Sequence, residues 1–218
     1  RGKLRRRFPV AIIGLSAASF AVLGALAVRE ISAQSRARAE QAAVDLAALK
    51  ARDIASFFAE RGRVATTMLA SPALEAWFEG YREFRRPLAG DREHDHVHGF
   101  FQRVVASDPT IVSAFFATAS TGEYFREAGR VEREGYDTRE RWWWAEALEE
   151  GSLYVTAPGV DAGTGRTMVT VQTPVRRADG ALLGVGGIDV SVDTVAEVVR
   201  AITLDGAGDA FLVDQQGR

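Results

Sequence analysis

Apolar residues recur with a helical period in the first half of the chain and with a strand period in the second half. Between Arg29 and Ala70 there is no proline and only one glycine, which predicts one long helix. Its apolar residues form two flanks, Ala42, Leu46, Leu49, Phe57, Val64 and Met68 on one and Ala47, Ile54, Phe58 and Ala65 on the other. Two flanks indicate either two partners, the domain's own sheet and a second copy of the chain, or one wide face in a single core.

Two shorter helices are predicted next. Ser71 is followed by a proline, which favours the first turn of a helix, and this helix is expected to run to about Phe84. The polar stretch 87–95 is predicted to be a loop, and a further helix is expected over 97–106. The dipeptide Asp108-Pro109 should end it, because the residue before a proline disfavours helical geometry.

Short β-branched and aromatic runs then alternate with turn residues, which predicts strands joined by hairpins. The predicted strands are 111–119, 124–126, 153–156, 167–175, 181–190 and 210–214, with turns at Thr121-Gly122 and Asp179-Gly180 and a helix over 191–202. Gly184, Gly186 and Gly187 mark a bulge or a close backbone approach. Because hairpins produce an antiparallel sheet, the predicted fold class is α+β.

The N-terminus carries a membrane signal. Five basic residues within 1–7 precede an uncharged run from Phe8 to Val28, which is long enough to cross a membrane as a helix. The positive-inside rule keeps residues 1–7 in the cytoplasm and places everything after Arg29 outside the inner membrane. The alternative is a cleaved signal peptide, because residues 25–27 have the small-x-small form of a cleavage site.

Composition excludes several classes of function. The net charge of −2 gives no overall field that favours nucleic acid, and the absence of cysteine excludes disulfides and thiolate chemistry. No cofactor is predicted. The chain does not begin with methionine, and residues 210–214 read as a strand just starting, so we expect a piece of a longer protein cut at both ends.

The densest candidate chemistry lies between Tyr136 and Ala145. Three consecutive tryptophans, 142–144, follow Arg139 and Arg141, and such a cluster of indoles is expected to line either a core or a pocket. Guanidinium groups beside aromatic faces suit a bound carboxylate or a stacked cation. In the alternative interpretation the tryptophans are core and the arginines bond to carboxylates of the protein.

All three histidines are close together at His94, His96 and His98. On one face of an extended loop they would suit a transition metal such as Zn or Ni. Because the surrounding residues are acidic and polar, a solvated surface loop is favoured and the metal site remains a weak candidate.

Four short motifs occur in a recognisable order. They are Tyr136-Asp137-Thr138-Arg139-x-Arg141-x-Trp143-Trp144, Pro158-Gly159-Val160-Asp161-Ala162, Thr170-Val171-x-x-Pro174-Val175 and Gly184-Val185-x-Gly187-Ile188-Asp189-Val190. Together with the N-terminal helices, this order resembles the double Cache sensor family of bacterial chemoreceptors, sensor histidine kinases and related transmembrane signalling proteins. The resemblance covers most of the chain after Val28 and implies a PAS-like antiparallel sheet.

The resemblance also implies a site. In the subset of the family that binds amino acids, Tyr136, Arg141 and Trp143 fall on positions that hold the ligand carboxylate, and Asp189 falls on a position that holds the ammonium. Trp144 and Asp161 complete the set of ligand-binding residues implied here. The chain departs from the pattern twice, because Trp144 stands where a tyrosine is usual and Gly159 stands where a second tyrosine is expected. Asp189 has an alternative role as a cap for the following helix.

The resemblance implies the following organisation along the chain: a basic cytoplasmic tail over 1–7, a transmembrane helix over 8–28, a long helix and connector over 29–109, a membrane-distal module over 110–203 and the start of a membrane-proximal module over 204–218. It further implies a small-molecule ligand and a parallel homodimer. The alternatives are a membrane-anchored periplasmic enzyme and a degenerate domain that serves only as a dimerisation stalk. The chain has no Ser-His-Asp arrangement near the tryptophans, and this argues against the enzyme.

Overall fold

The computed structural model of the chain describes residues 2–160 and 165–200. The side chains of 2–15, 17, 18 and 198–200 lie outside this description. So do Asp161, the predicted segment 204–218 and the predicted strand 210–214, which stay predictions.

The helices are α1 (Gly2–Leu69), α2 (Pro72–Gly80), α3 (Arg92–Ser107), α4 (Trp142–Glu150) and α5 (Val192–Arg200), with a short 3-10 helix at Thr138–Glu140. The strands are β1 (Ile111–Thr118), β2 (Tyr124–Arg126), β3 (Gly129–Arg130), β4 (Tyr154–Val155), β5 (Gly159–Val160), β6 (Thr167–Arg176) and β7 (Leu182–Ser191). By its internal contacts the chain divides into two units, 1–51 and 52–218.

Helix α1 ends one residue before the predicted limit of Ala70. Among the residues that the structure describes, no helix offers a stretch both long and apolar enough to cross a membrane. The predicted transmembrane segment 8–28 includes residues 8–15, 17 and 18, whose side chains lie outside the described part.

Helix α3 corrects the prediction of a loop over 87–95. It begins at Arg92 because the Asp91 side chain accepts a hydrogen bond from the backbone N–H of His94 at 2.9 Å and caps the helix. The three histidines therefore lie on a helix and not on an extended loop. Helix α2 is also shorter than predicted, because Tyr81 already has extended backbone geometry.

The strands form one sheet in the order β3-β2-β1-β7-β6-β4, with β5 also paired to β6, and every pairing is antiparallel. This confirms the predicted α+β class. Both predicted hairpin turns hold a glycine with positive φ, Gly122 at 71° and Gly180 at 83°. Helix α4 and strands β3 and β5 were not predicted from the sequence.

Alternation along the strands gives the sheet an inner and an outer face. The inner face carries the main core, where Phe116 stacks on Phe78 of α2 with ring centroids 4.1 Å apart and Phe125 packs edge-on to both Trp77 and Phe78. The outer face carries α4, where Trp144 and Ala147 pack on Ala117 and Val185.

The predicted close backbone approach occurs along β7, the central strand. An added Cβ at Gly184 would collide with the carbonyl oxygen of Ala117, and one at Gly187 would collide with the carbonyl oxygen of Val171. Glycine at 187 also leaves an outer-face position without a side chain between Phe115 and Gln172, its partners on the neighbouring strands.

Arg61 fastens the last turns of α1 to the start of the sheet. Its side chain is only 10% exposed, it donates to the Thr110 hydroxyl at 2.9 Å, and it forms an ion pair with Asp108 at 3.0 Å. Burial alone would raise the pKa of Asp108, but the hydrogen bonds from Thr110 and the charge of Arg61 lower it below its ordinary value.

This ion pair predicts a pH dependence of stability. Because the pKa of Asp108 is lower in the folded chain than in the unfolded one, its contribution is present above the ordinary value of 3.8 and is lost as the pH falls through the folded value. Urea unfolding between about pH 7 and pH 3 should therefore show a shallower loss of stability for Asp108→Asn than for the wild type. The exposed Glu149→Gln is the matched control. Equal pH slopes for Asp108→Asn and the wild type would contradict this role.

Candidate ligand-binding site

A cavity of about 160 Å³ lies on the outer face of the sheet beside the first turn of α4. It is lined by Phe115, Tyr124, Arg126, Val131, Arg133, Tyr136, Arg141, Trp142, Trp143, Thr156, Gly159, Val160, Met168, Thr170, Gln172 and Asp189. The structure thus brings four residues singled out in the sequence, Tyr136, Arg141, Trp143 and Asp189, onto one cavity. Their assignment to a ligand stays a prediction.

The floor of the cavity is the outer face of three adjacent strands. Phe115 of β1, Gln172 of β6 and Asp189 of β7 are all outer-face positions, and Gly187 separates the first two. Because Gly187 has no side chain, the floor stays open at this point. Met168 and Thr170 extend it along β6.

Aromatic rings pack together on one side of the cavity. Phe115 and Tyr124 stack with ring centroids 5.1 Å apart, and the Trp143 ring lies edge-on to both at 6.0 Å. Tyr136 lies edge-on to Tyr124 at 6.3 Å. Such edge and stacked contacts fix ring orientations, so this side forms a preformed apolar surface.

The segment that presents Arg141 is anchored to the sheet. Thr138 donates to the Gly122 carbonyl oxygen through its backbone N–H at 2.9 Å and through its hydroxyl at 3.0 Å. Asp137 caps the 3-10 helix by accepting from the Arg139 N–H, and its hydrogen bonds with the Arg139 side chain hold the pKa of Asp137 below its usual value. Arg141 follows at the end of this short helix, so its backbone is fixed.

Arg141 itself has unused hydrogen-bonding capacity. Its guanidinium carbon is 5.7 Å from the centroid of the Tyr136 ring. Its Nε atom is buried and has no hydrogen-bond partner among the residues that the structure describes. A buried donor without a partner is destabilising by about 1–3 kcal/mol, so this atom suits an acceptor brought by a ligand.

Asp189 is the negative counterpart on the cavity floor. It is 8% exposed, and its Oδ1 accepts a hydrogen bond from the Thr170 hydroxyl at 2.6 Å. The two residues are partners in the β6–β7 register, which places their side chains next to each other. At the start of α5, the Ser191 hydroxyl accepts a hydrogen bond from the N–H of Asp193 at 3.3 Å, which is the capping role that the alternative interpretation gave to Asp189.

Gln172 connects the cavity to α4. Its Nε2 donates to the Trp143 carbonyl oxygen at 3.1 Å and to the Tyr154 hydroxyl at 2.5 Å, and that hydroxyl donates to Glu146 at 3.1 Å. Burial raises the pKa of Tyr154, so the phenol stays a donor. Gln172 is fully buried, and its Oε1 has no partner among the described residues.

The three tryptophans have three different environments, because successive residues of a helix point about 100° apart. Trp143 lines the cavity, whereas Trp144 points into the core beside Ala117 and Val185 and does not line the cavity. Trp142 is 53% exposed and covers Gly159, where an added Cβ would lie 3.1 Å from the indole. The indole thus occupies space beside the position where the family pattern has a tyrosine. Asp161 lies outside the described residues.

Several lining residues were not singled out from the sequence. Arg126 was placed on a predicted strand two residues after Tyr124, so the alternation of side chains puts both on the outer face. This spacing was the sequence signal that could have identified Arg126 as a lining residue. Gln172 and Thr170 likewise alternate along β6. Arg133 lies in an irregular segment that no periodic pattern marks.

The histidines do not form a metal site in the part of the chain that the structure describes, where no group of three or more metal-ligating side chains occurs. His94 and His98 stack at 5.7 Å on one face of α3, and the His98 Nε2 lies 2.8 Å from the Glu127 carbonyl oxygen. His96 is exposed on another face. Burial against Trp77 lowers the pKa of His94.

Comparisons with known proteins agree on the type of domain. Residues 98–197 match the family model of the first PDC sensor domain of methyl-accepting chemotaxis protein-like proteins. The methyl-accepting chemotaxis protein McpA of Pseudomonas putida is 37% identical over 100 residues, which are 45% of this chain and 15% of McpA. PctB of Pseudomonas aeruginosa is 25% identical over 169 residues, which are 76% of this chain and 26% of PctB. The chain thus spans about a quarter or less of these relatives.

Two solved structures support the fold. The ligand-binding domain of the P. aeruginosa amino acid chemoreceptor PctC, in complex with GABA, matches with a TM-score of 0.57 and 28% identity over 72% of this chain and 66% of that chain. The ligand-binding domain of the Pseudomonas fluorescens chemoreceptor CtaA, in complex with L-serine, matches with a TM-score of 0.61 and 24% identity over 78% of this chain and 66% of that chain. These similarities confirm the sensor-domain resemblance inferred from the sequence motifs.

Proposed function

We propose that this chain, whose residues 98–197 form a sensor domain of the chemoreceptor type, binds a small molecule with a carboxylate and an ammonium group, such as an amino acid. The proposed site is the cavity beside α4. The observation that carries the proposal is that Arg141 and Asp189, two opposite charges, line the same small cavity.

The chemistry of these two groups complements a zwitterion. A guanidinium makes bidentate hydrogen bonds to a carboxylate, and the buried Nε of Arg141 is a donor that such a ligand would satisfy. Asp189 lies on the cavity floor with the Thr170 hydroxyl donating to its Oδ1, and a carboxylate is a suitable partner for an ammonium group. The Trp143 and Phe115 rings supply the apolar surface that excludes water from both pairs.

Similarity to PctC supports the ligand class. That domain is described as part of an amino acid chemoreceptor in complex with GABA, a molecule with one carboxylate and one amine. By analogy, ligand occupancy of this cavity is the signal that the receptor transmits, and α1, which Arg61 fastens to the sheet, is the element that would carry it. A domain that acts only as a stalk is the alternative, and the binding experiment below tests it.

The binding prediction concerns the two charged residues. Isothermal titration of the purified 218-residue chain with amino acids, amines and organic acids should identify a ligand. Arg141→Ala and Asp189→Ala should each then weaken its binding by about 2–5 kcal/mol, because each change leaves the opposite charge of the ligand sheltered and unpaired. This corresponds to roughly thirty-fold to several-thousand-fold in Kd.

Matched controls are available on exposed surfaces. Arg103→Ala and Asp193→Ala remove the same charges away from the cavity and should leave Kd unchanged. Thermal unfolding of each variant checks that the fold is intact. The site assignment is wrong if Asp189→Ala binds the identified ligand as tightly as the wild type, or if Arg141→Ala unfolds the chain. The stalk alternative gains support if no compound binds.

We further propose that residues 8–28 anchor the chain in the inner membrane, with residues after Arg29 outside the cytoplasm. The uncharged run and the basic cluster before it support this orientation. A phosphatase that is active only in the periplasm, fused after Ala70, should be active. Activity of a cytoplasmic reporter at the same point, with an inactive phosphatase fusion, would contradict the orientation.

Finally, we propose that the chain acts as a parallel homodimer through α1. Val44 and Leu49 of this helix are 61% and 52% exposed, so a second copy of α1 packed along this helix would have apolar surface to bury. Single cysteines introduced along 29–70 in membranes should crosslink with helical periodicity, and the natural chain contains no cysteine to interfere. Uniform or absent crosslinking would argue against this dimer.

A further inference from the structure

The charges around the cavity are unequal. Among the described residues, three arginines line it, Arg126, Arg133 and Arg141, whereas Asp189 is the one carboxylate. An amino acid with an uncharged side chain would pair its carboxylate with one arginine and its ammonium with Asp189. Two of the three guanidinium groups would then have no negative partner from the ligand.

Arginines that are sheltered elsewhere in the described part of the domain are paired with carboxylates, and this is why the excess of arginines over carboxylates at the cavity matters. Four other arginines that are buried or half-buried each form an ion pair with a carboxylate: Arg61 with Asp108, Arg86 with Asp91, Arg130 with Glu123 and Glu132, and Arg177 with Asp179. Within the described part of the chain, the half-buried Arg126 and Arg141 have no such partner, and both line the cavity. A sheltered cation without a counter-charge is destabilising, so a missing anion is expected there.

Arg126 lies on the side of the cavity away from Asp189. Arg126 is on β2, and β1 separates it from β7, which carries Asp189. This separation is about 10 Å between strand axes. The exposed Arg133 also lines the cavity, and its carbonyl oxygen accepts from the Tyr136 N–H at 3.3 Å. A ligand held by Asp189 and Arg141 would therefore extend its far end towards Arg126 and Arg133.

Resting on the amino acid-binding function proposed above, we propose that the ligand carries a second carboxylate, which Arg126 and Arg133 bind. The chemical class is a small amino dicarboxylate, that is, an acidic amino acid. The cavity volume of about 160 Å³ admits only a small molecule, which excludes long peptides and bulky anions from full enclosure.

The test compares isosteres that differ only in charge. Isothermal titration of the full chain with L-glutamate, L-glutamine, L-aspartate and L-asparagine should show each acid binding roughly ten- to a hundred-fold tighter than its amide. The double substitution Arg126→Gln with Arg133→Gln should abolish this preference, because the affinity for each acid should then fall to about that for its amide in the same variant. Arg92→Gln with Arg103→Gln, two exposed arginines of α3, removes the same charge away from the cavity and should keep the preference.

The outcomes separate this inference from the function on which it rests. If neutral amino acids bind as tightly as the acids and depend on Arg141, the amino acid site stands and the second-carboxylate proposal is overturned. Retention of the acid preference in the Arg126→Gln/Arg133→Gln variant would overturn it as well. Succinate has the two carboxylates of aspartate but no ammonium group. If it binds as tightly as aspartate, the proposal that the ligand carries an ammonium group is overturned. If none of these compounds binds, the second-carboxylate proposal is overturned, and the wider panel of amino acids, amines and organic acids decides whether the amino acid site itself stands.

Discussion

The pairing of β7 with β1 on one side and with β6 on the other is the constraint on which the rest of the structure depends. Since side chains alternate between the two faces of a strand, this central position commits Ile188 and Val190 to the core and Asp189 to the outer face. A slip of one residue in the register would bury the carboxylate among the inner aromatic rings. The apolar inner face therefore fixes the position of Asp189 as firmly as it fixes the core.

Four buried side-chain atoms have no hydrogen-bond partner among the described residues: two belong to residues that line the cavity, and the other two, His94 Nδ1 and Glu123 Oε2, lie elsewhere. Buried polar groups such as Thr118, Thr138 and Ser113 have partners within the chain. On the cavity, the Arg141 Nε and the Gln172 Oε1 are buried without a partner in the described residues. Each unsatisfied group is destabilising by about 1–3 kcal/mol, and a ligand that satisfies it recovers part of that free energy. If the proposed ligand satisfies these groups, folding and binding are linked, and the ligand-bound domain is expected to be the more stable one.

Sequence patterns predicted the fold well where periodicity is strong. The end of the long helix and the strands β1, β6 and β7 lie within one or two residues of their predicted places, because each has a continuous apolar face to bury. Both turns were predicted from their glycines, which adopt positive φ. The patterns missed α4, whose three tryptophans share no single face, and they missed the start of α3, where one side chain, Asp91, caps the helix within a polar stretch. Short strands such as β3 and β5 depend on pairing partners that no local pattern contains.

The candidate site was predictable only in part. Tyr136, Arg141, Trp143 and Asp189 follow from motifs, and the structure brings them onto one cavity. Trp144 could not be separated from Trp143 without knowing where α4 begins, because the phase of the helix decides which indole faces the core. Arg126 required the β1–β2 register, which places it beside Phe115.

The central claim is that the outer face of the sheet and the first turn of α4 form the binding surface. Hydrogen–deuterium exchange of the full chain, with and without the amino acid that binds most tightly, measures this directly. The account predicts added protection in 124–126, 136–143 and 168–172, the segments that border the cavity, with little change in α3. Protection confined to α3 or α1, or no change in the cavity segments at saturating ligand, would contradict it.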